Sequence, residues 1–249
     1  MARDFRIAAL GLAVLLRAAG GAAADDERAR AADWRRCEKA SADPPAGIAA
    51  CARLIDGGKQ SPGDLALAHY NRGNAYAVLN QYARAIEDYG RAIELNPKDA
   101  QAHANRGLAF YALRKYALAI EDFDQAIAIE TKDPNFYNLR GATYRALGKF
   151  EEAILDYDRA LDLKPDFAQA FNNRGNAFAM QGDNARAIED YDRAIKLVPN
   201  YASAYQNRAA AHEALGHKAE AIRDYRAALR LDATLEDSKK GLLRLSAAR

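Results

Sequence analysis

The sequence predicts an all-α fold in which short antiparallel helix hairpins stack into a solenoid. Two observations support this fold class. A pattern of small and aromatic residues recurs at a 34-residue step over 66–235, and each period contains two short amphipathic stretches joined by a turn. A hairpin of this size leaves one apolar face open that only the next hairpin can cover, so the repeats are expected to stack in order.

The recurring residues have a packing role within each hairpin. Gly73 stands where the second helix approaches the first too closely for a side chain, and Ala85 on the second helix is small for the same reason. Tyr76 and Tyr89 are expected to fill the space on either side of this pair. The same four positions in later periods hold Gly107, Gly141, Gly175 and Ala209; Ala119, Ala153, Ala187 and Ala221; Phe110, Tyr144, Phe178 and His212; and Phe123, Tyr157, Tyr191 and Tyr225.

Turn residues agree with the hairpin interpretation. A residue with positive φ is expected where each first helix ends, and glycine suits that place best. The residues at this position are Asn80, Arg114, Gly148, Gly182 and Gly216, of which Arg114 fits poorly. Proline cannot continue a helix, so second helices are expected to stop before Pro97, Pro165 and Pro199; Asp133 and Pro134 instead open the next helix as N-cap and first residue.

These residues and their period resemble the tetratricopeptide repeat family, in the form found in exported bacterial proteins. The resemblance covers five repeats, about two-thirds of the chain: 66–99, 100–133, 134–167, 168–201 and 202–235. It implies an all-α, right-handed superhelical α-solenoid with a concave groove lined by the first helix of each hairpin. It identifies no partner, because proteins with this fold serve many.

Residues 1–24 have the pattern of a cleaved signal peptide. Arg3 and Arg6 give a basic start, Ile7–Leu16 is an apolar run, and three alanines precede Asp25. The run is too short to cross a bilayer as a helix. We therefore expect a mature chain that begins near Asp25 in the periplasm; an ordinary amphipathic helix or a disordered tail is the alternative.

Residues 25–65 are expected to form a degenerate N-terminal hairpin with helices over Asp25–Ala40 and Gly47–Ile55. Each helix carries one of the two cysteines of the chain, Cys37 and Cys51. In an exported protein such a pair favours a disulfide, whereas in a reducing cytosol the two would be small buried apolar residues. No CxxC motif or partnered histidine supports a metal site.

An arginine and an aspartate also recur in every repeat. The arginines precede the glycine position and the aspartates precede the second aromatic position. We expect a ladder of ion pairs along the hairpin seams; the alternative is that both are solvated and pair loosely. The two series are Arg72, Arg106, Arg140, Arg174 and Arg208, and Asp88, Asp122, Asp156, Asp190 and Asp224.

Amides and tyrosines on the first helices are the candidate peptide-binding residues. An amide offers a donor and an acceptor and can hold the backbone of an extended peptide. Alternatively, the same side chains bond to neighbouring turns and hold adjacent repeats together. The candidates are Tyr70, Asn71, Asn74, Asn105, Tyr111, Asn138, Asn172, Asn173, Asn176, Gln206 and Asn207.

The best-known peptide pocket of the resembled family binds a C-terminal carboxylate through lysine, arginine and asparagine side chains. The matching positions here are Tyr70, Asn74, Asn105, Asn135 and Leu139, so asparagines are present and the cations are absent. This argues against a chaperone-tail adaptor. We expect recognition by amides and aromatic faces, with weak dependence on salt.

Charge and motifs exclude several classes of function. The formal charge is +2, and removal of 1–24 leaves 33 residues of each sign, so no basic field favours nucleic acid. No nucleophile–base motif, phosphate loop or H-E-x-x-H motif is present. His69 and His103 stand one repeat apart, too far to share a metal ion, so we expect no enzyme activity, metal or cofactor.

The sequence thus predicts an exported scaffold that binds a protein or peptide segment. The alternative is a homo-oligomeric structural unit of an envelope assembly. Residues 236–249 are expected to form a C-terminal capping helix, with Leu242, Leu243 and Leu245 covering the fifth repeat and Lys239, Lys240 and Arg244 facing water.

Overall fold

The computed structural model describes residues 25–247, which are helical with short turns and contain no strand. The all-α prediction is therefore confirmed for this range. The predicted signal peptide, 1–24, and the last two residues lie outside it. None of the described helices combines the length and apolar character needed to cross a membrane. The contacts divide the chain into two compact units, one ending at Ala109 and the other beginning at Phe110.

The first unit contains the N-terminal hairpin and the first repeat. Its helices are α1 (25–38), α2 (Pro44–Asp56), α3 (Pro62–Val78), α4 (Tyr82–Leu95) and most of α5 (Ala100–Ala112). Helix α2 starts three residues before the expected Gly47, because proline is well suited to the first turn. Asp43 caps it by accepting a hydrogen bond from the Ala46 amide, and Ser61 caps α3 in the same way through Asp64.

A disulfide joins the two helices of the N-terminal hairpin. Cys37 on α1 and Cys51 on α2 are bonded and fully buried. They lie in an apolar cluster with Leu54 of α2 and Ala68 of α3, against which Trp34 packs. The bond therefore lies inside the core of this hairpin and not on its surface.

The second unit contains the remaining repeats. Its helices after α5 are α6 (Tyr116–Ile129), α7 (Pro134–Ala146), α8 (Phe150–Leu163), α9 (Ala168–Met180), α10 (Asn184–Leu197), α11 (Ala202–Ala214), α12 (Lys218–Leu231) and α13 (Glu236–Ala247). Helices α8 and α10 end two residues before Pro165 and Pro199, as expected. Asp133 caps α7 through the Asn135 amide.

The turns inside the hairpins use the expected left-handed residue. Gly148, Gly182 and Gly216 have φ of 75°, 84° and 77°. Asn80 and Arg114 both adopt φ of 58°. An arginine side chain is strained in this conformation because its Cβ crowds the backbone, so Arg114 holds its turn at a cost.

The close approach of the two helices in a hairpin is made by a glycine and an aromatic ring. A Cβ at Gly73 would lie 2.8 Å from the Tyr89 ring, and one at Gly175 would lie 2.7 Å from the Tyr191 ring. Gly141 has the same relationship to Tyr157, at 2.9 Å. The sequence interpretation placed the alanine of the second helix opposite the glycine, whereas the nearest group is this ring.

The expected ladder of ion pairs is confirmed in the four repeats where its contacts are described. Arg174 donates from Nε and Nη2 to the two carboxylate oxygens of Asp190, at 2.8 and 2.7 Å. Its Nη1 also donates to Asp158 on the preceding second helix, at 2.5 Å. The other bidentate pairs are Arg72–Asp88, Arg140–Asp156 and Arg208–Asp224.

Helix α13 covers the last repeat with part of its predicted face. Leu242 and Leu245 pack on Ala209, Ala221 and Tyr225. Leu243 was expected to join them but is 68% exposed, because it lies about 100° around the helix from Leu242 and points away from the fifth repeat. Arg244, expected to face water, is exposed but forms a bidentate pair with Glu213 at 2.9 Å.

Candidate peptide-binding surface

One face of the first helices carries seven of the eleven candidate residues, and the other four, Asn71, Asn105, Asn173 and Asn207, each lie one position after the first residue of that face. On α7 this face holds Asn138, Ala142 and Arg145, which are spaced i, i+4 and i+7 and therefore lie above one another. The equivalent residues are Tyr70, Asn74 and Ala77 on α3; Ala104, Leu108 and Tyr111 on α5; Asn172, Asn176 and Ala179 on α9; and Gln206, Ala210 and Glu213 on α11. We call this the polar face.

In the first unit, Asn105 and Tyr89 join the polar-face residues Tyr70 and Asn74 in one hydrogen-bond network. The Asn105 amide donates to the Tyr70 hydroxyl and to Asn74 Oδ1, both at 3.0 Å. The Tyr89 hydroxyl donates to the same Asn74 oxygen at 2.7 Å. Burial raises the pKa of Tyr89, so its hydroxyl stays protonated and can donate. Three of the four candidates in this unit are thus brought together, and Asn71 is half-buried nearby on α3.

In the second unit, amides join consecutive first helices. Asn173 donates to Asn138 Oδ1, and Asn207 donates to Asn172 Oδ1, each at 3.0 Å. Asn138 and Asn172 are 4% and 6% exposed. These contacts are the structural role that the sequence left open, in which amides hold adjacent repeats together. Gln206 is half-buried and accepts a hydrogen bond from the Ser238 hydroxyl of α13.

The tyrosine hydroxyls of the second helices also reach this face. Tyr191 donates to Asn176 Oδ1 at 2.8 Å, repeating the Tyr89–Asn74 contact of the first unit. Tyr157 has no asparagine partner, because its repeat carries Ala142 where the first and fourth repeats carry Asn74 and Asn176. Its hydroxyl instead faces the Arg145 side chain. The Tyr157 side chain is fully buried, and this burial raises the pKa of Tyr157 to about 12.

Arg145 is a functional candidate that the sequence interpretation missed. Its side chain is half-buried, its Nε is inaccessible to solvent, and its guanidinium is close enough to Tyr157 for a side-chain hydrogen bond to lower the pKa of that hydroxyl. Its positive charge acts on the hydroxyls of both Tyr157 and Tyr191, opposing the rise of their pKa. Arg145 is a cation outside the five positions of the family's carboxylate pocket, none of which holds a lysine or arginine. The spacing of seven residues from Asn138 was the signal that could have found it.

Tyr111 and the residues at the family's carboxylate-pocket positions make different contacts from one another. Tyr111 is half-buried, with its ring tilted against that of Tyr116 at 5.4 Å. At the positions of the family's carboxylate pocket, Tyr70, Asn74 and Asn105 are bonded to one another, whereas Asn135 donates to Asp133 at the start of α7.

The histidines have local partners. His69 Nδ1 lies 2.8 Å from Asp88 beside the Arg72 pair, and His212 contacts His217 in the last repeat. Within 25–247, no three side chains of the metal-binding types come together.

Comparison with known proteins identifies the repeats. Family models described as tetratricopeptide repeat match 66–99, 100–133 and 202–235. A further model, described as TPR repeat, matches 141–182 and 175–216. No curated protein matches the chain.

Solved structures share the fold at low sequence identity. PilF of Pseudomonas aeruginosa is 20% identical, with 76% of this chain and 91% of that chain covered and a TM-score of 0.62. MamA of Desulfovibrio magneticus RS-1 is 16% identical, covering 71% and 99% with a TM-score of 0.63. YrrB, described as a TPR protein with an unusual peptide-binding site, is 19% identical, covering 76% and 96% with a TM-score of 0.58.

Proposed function

Because this chain belongs to the tetratricopeptide repeat family, we propose that it is a non-enzymatic interaction scaffold whose polar face binds a peptide or protein segment. The observation that carries the proposal is the polar face itself. Half-buried polar side chains recur on it within each unit: Tyr70 and Asn74 in the first, and Tyr111, Arg145 and Gln206 in the second. The peptide-binding site of YrrB supports the proposal by analogy alone.

Binding would draw on several repeats at once. Many of the amides already bond within the chain, so each has limited capacity for a partner. A neutral hydrogen bond adds about 0.5–1.5 kcal/mol net. Useful affinity therefore requires contacts on consecutive helices, which an extended or helical segment lying along the polar face would provide.

We further propose that the scaffold works in the periplasm. The support is the signal-peptide pattern of 1–24 together with the disulfide between Cys37 and Cys51, since structural disulfides persist in oxidising compartments. N-terminal sequencing of the protein from its native host tests this. A start near Asp25 is expected, and an intact start at Met1 or Ala2 in a cytosolic fraction would overturn the location.

Photo-crosslinking from defined positions tests the binding surface. Benzoylphenylalanine at position 111 replaces Tyr111 on the polar face, and the same residue at position 155 replaces Leu155, which is 69% exposed on a second helix. Crosslinks to another protein in intact cells are expected from 111 and not from 155. The reverse pattern would place the contact on the second helices and refute the proposal.

Sedimentation separates the scaffold from the alternative of a homo-oligomeric unit. A monomer at tens of micromolar is expected for the scaffold. A closed oligomer, with crosslinks from 111 only to copies of the same chain, would favour the alternative.

A further inference from the structure

A groove of about 420 Å³ lies between α12 and α13 in the second unit. Its lining is mainly apolar and includes Ile222 and Leu229 of α12 and Leu242 and Leu243 of α13. Leu243 is 68% exposed. Apolar side chains that cluster on a surface, as these do, are typical of an interaction site, whereas single exposed leucines are ordinary.

The 34-residue period shows which kind of element fits this groove. Helix α13 continues the register of the first helices, since Ser238 stands at the position of Ala204 and both are fully buried. In this register Leu243 occupies the position of Gly175. Gly175 faces the Tyr191 ring on the second helix of its own hairpin. Leu243 therefore points to the place that a second helix would occupy beside α13.

Two further lining residues of α13 stand at positions of the same kind. Leu242 occupies the position of Arg174, which pairs with the second helix of its hairpin. Ser246 occupies the position of Phe178, which packs in one cluster with second-helix residues. Within the described residues no helix follows α13 to make these contacts. The groove is thus shaped for a helix that runs antiparallel to α13, as the two helices of each hairpin do.

The charge at the edge of the groove differs from that in the earlier repeats. In those repeats a second-helix aspartate, such as Asp158, accepts a hydrogen bond from the arginine of the next first helix, Arg174. The fifth repeat carries Arg226 at the aspartate position, and α13 carries a leucine at the arginine position. Arg226 is exposed and forms no ion pair within the described part of the chain. Lys239 adds a second cation, which bonds to Glu236.

We propose that the groove between α12 and α13 docks an acidic amphipathic helix of a partner protein. The apolar face of this helix would cover Leu243, and an aspartate or glutamate beside that face would pair with Arg226. A small residue is required opposite Leu243. The hairpins combine a glycine on the first helix with a ring on the second, and here the large side chain is on the first helix. The inference goes beyond the proposed function, because this groove is separate from the polar face.

A second copy of the chain fits the groove poorly. A symmetric contact would place the same patch on both sides, so Arg226 and Lys239 of one copy would meet the same cations of the other. Like charges that face each other oppose association. The second helices of another copy are also unsuitable, since their apolar faces, including Tyr191 and Tyr225, are already buried inside their own hairpins.

Helix display tests the inference, with the protein purified from its native host as bait. The library consists of helical segments of about 18 residues, long enough to be helical alone, randomised along one face. The wild type should enrich apolar residues with a central alanine or glycine and a flanking acid. Arg226→Glu should replace the acid by lysine or arginine. Arg193→Glu makes the same charge change on the exposed side of α10 and, as the matched control, should keep the acid.

Variants at Leu243 then examine a selected peptide individually. Leu243→Asp should weaken binding about 10-fold to 100-fold, because the leucine becomes buried in the complex. It should leave the melting temperature nearly unchanged, since Leu243 is exposed in the free protein. Leu155→Asp is the control on α8, where Leu155 is 69% exposed, and it should not change binding.

Each other outcome contradicts a defined part of the inference. No selected peptide, or peptides that bind Leu243→Asp as tightly as the wild type, would overturn the groove as a docking site. An acid preference that survives Arg226→Glu would overturn the role of Arg226. A dimer in sedimentation that Leu243→Asp dissociates would place a second copy in the groove. Crosslinking from position 111 tests the polar face separately, so either surface can fail while the other stands.

Discussion

The guanidinium of Arg174 holds both carboxylate oxygens of Asp190 across the seam between α9 and α10, at 2.8 and 2.7 Å. The aspartate side chain is only 6% exposed. Two parallel hydrogen bonds of this kind fix the relative position of the helices as well as the charge. The pair therefore acts mainly as a device that sets register.

Removing Arg174 should destabilise the protein, because the buried carboxylate of Asp190 would lose its counter-charge. We expect Arg174→Ala to lower the free energy of unfolding by about 3–5 kcal/mol, because Asp190 would keep a buried charge without a partner. Burial raises the pKa of Asp190, and the hydrogen bond from Arg174 opposes that rise. In Arg174→Ala the carboxyl therefore takes up a proton more readily, so the loss should shrink as the pH falls towards 4. Urea unfolding at pH 7 and pH 4 measures both effects.

A surface pair provides the comparison for this prediction. Arg91 and Glu94 are 67% and 63% exposed, and Glu94→Gln should change stability by less than about 1 kcal/mol. Equal losses for Arg174→Ala and Glu94→Gln would show that the seam pair is as loosely held as a solvated one.

The disulfide should stabilise the N-terminal hairpin locally. Cys37 and Cys51 are separated by 14 positions, and closing a loop of this size contributes roughly 3 kcal/mol through the unfolded chain. The Cys37→Ser, Cys51→Ser double variant should lose amide protection in α1 and α2. Protection in α7–α12 should be unchanged, because repeat stability is nearly a sum over neighbours. Hydrogen exchange by mass spectrometry checks this, and uniform loss over the whole chain would contradict it.

Replacing Arg114 by glycine should stabilise its turn. Its φ of 58° suits glycine, so Arg114→Gly is expected to stabilise the protein by about 1 kcal/mol. The mirror experiment is Gly182→Ala, at a φ of 84°, which should cost a similar amount. Thermal melting of the two variants should give shifts of opposite sign; a lower melting temperature for Arg114→Gly would indicate that the arginine side chain has a role beyond the turn.

Acid should weaken the N-terminal hairpin through Asp33. The hydrogen bond from Arg53 holds the pKa of Asp33 below its usual value. A carboxyl whose folded pKa is lowered contributes stability above its unfolded pKa of about 3.9, and that contribution is lost as pH falls through the folded value.

Asp33→Asn should therefore reduce protection of α1 and α2 at pH 7 by up to about 1 kcal/mol, since Arg53 is largely exposed. Near pH 2 the variant and the wild type should converge. Asp25→Asn is the control, because Asp25 forms only a long, exposed contact with Arg28. A difference between Asp33→Asn and the wild type that is constant with pH would exclude this mechanism.

Much of the fold can be predicted from the sequence, because the same 34-residue pattern specifies each hairpin in turn. Gly175 and Tyr191 contact each other at a spacing of 16 residues that recurs in other hairpins, so a single pattern fixes several interfaces. The ion-pair ladder follows from the same periodicity. Local chemistry also places the helix ends, as at Asp133 and Pro134.

Side-chain partners on the polar face could not be predicted with the same certainty. An asparagine can bond to a ligand or to the next helix, and only the structure shows that Asn207 reaches Asn172. In the same way, only the structure shows that the Arg145 guanidinium faces the Tyr157 hydroxyl. Leu243 was misplaced because a leucine pair on a short helix does not reveal which member faces the core.

Helix α13 imitates the first helix of a further repeat. Gly241 lies against the Tyr225 ring, Ser238 bonds to Gln206, and Leu242 and Leu245 pack on the last hairpin. The surface that it covers is built from the same residue types that each earlier hairpin presents to its successor. The length of the protein is therefore a modular property: a copy of 202–235 inserted before Glu236 should be accepted, with α13 closing the longer chain. The circular dichroism signal of the longer protein should increase by the contribution of two helices, and the protein should remain a single soluble species.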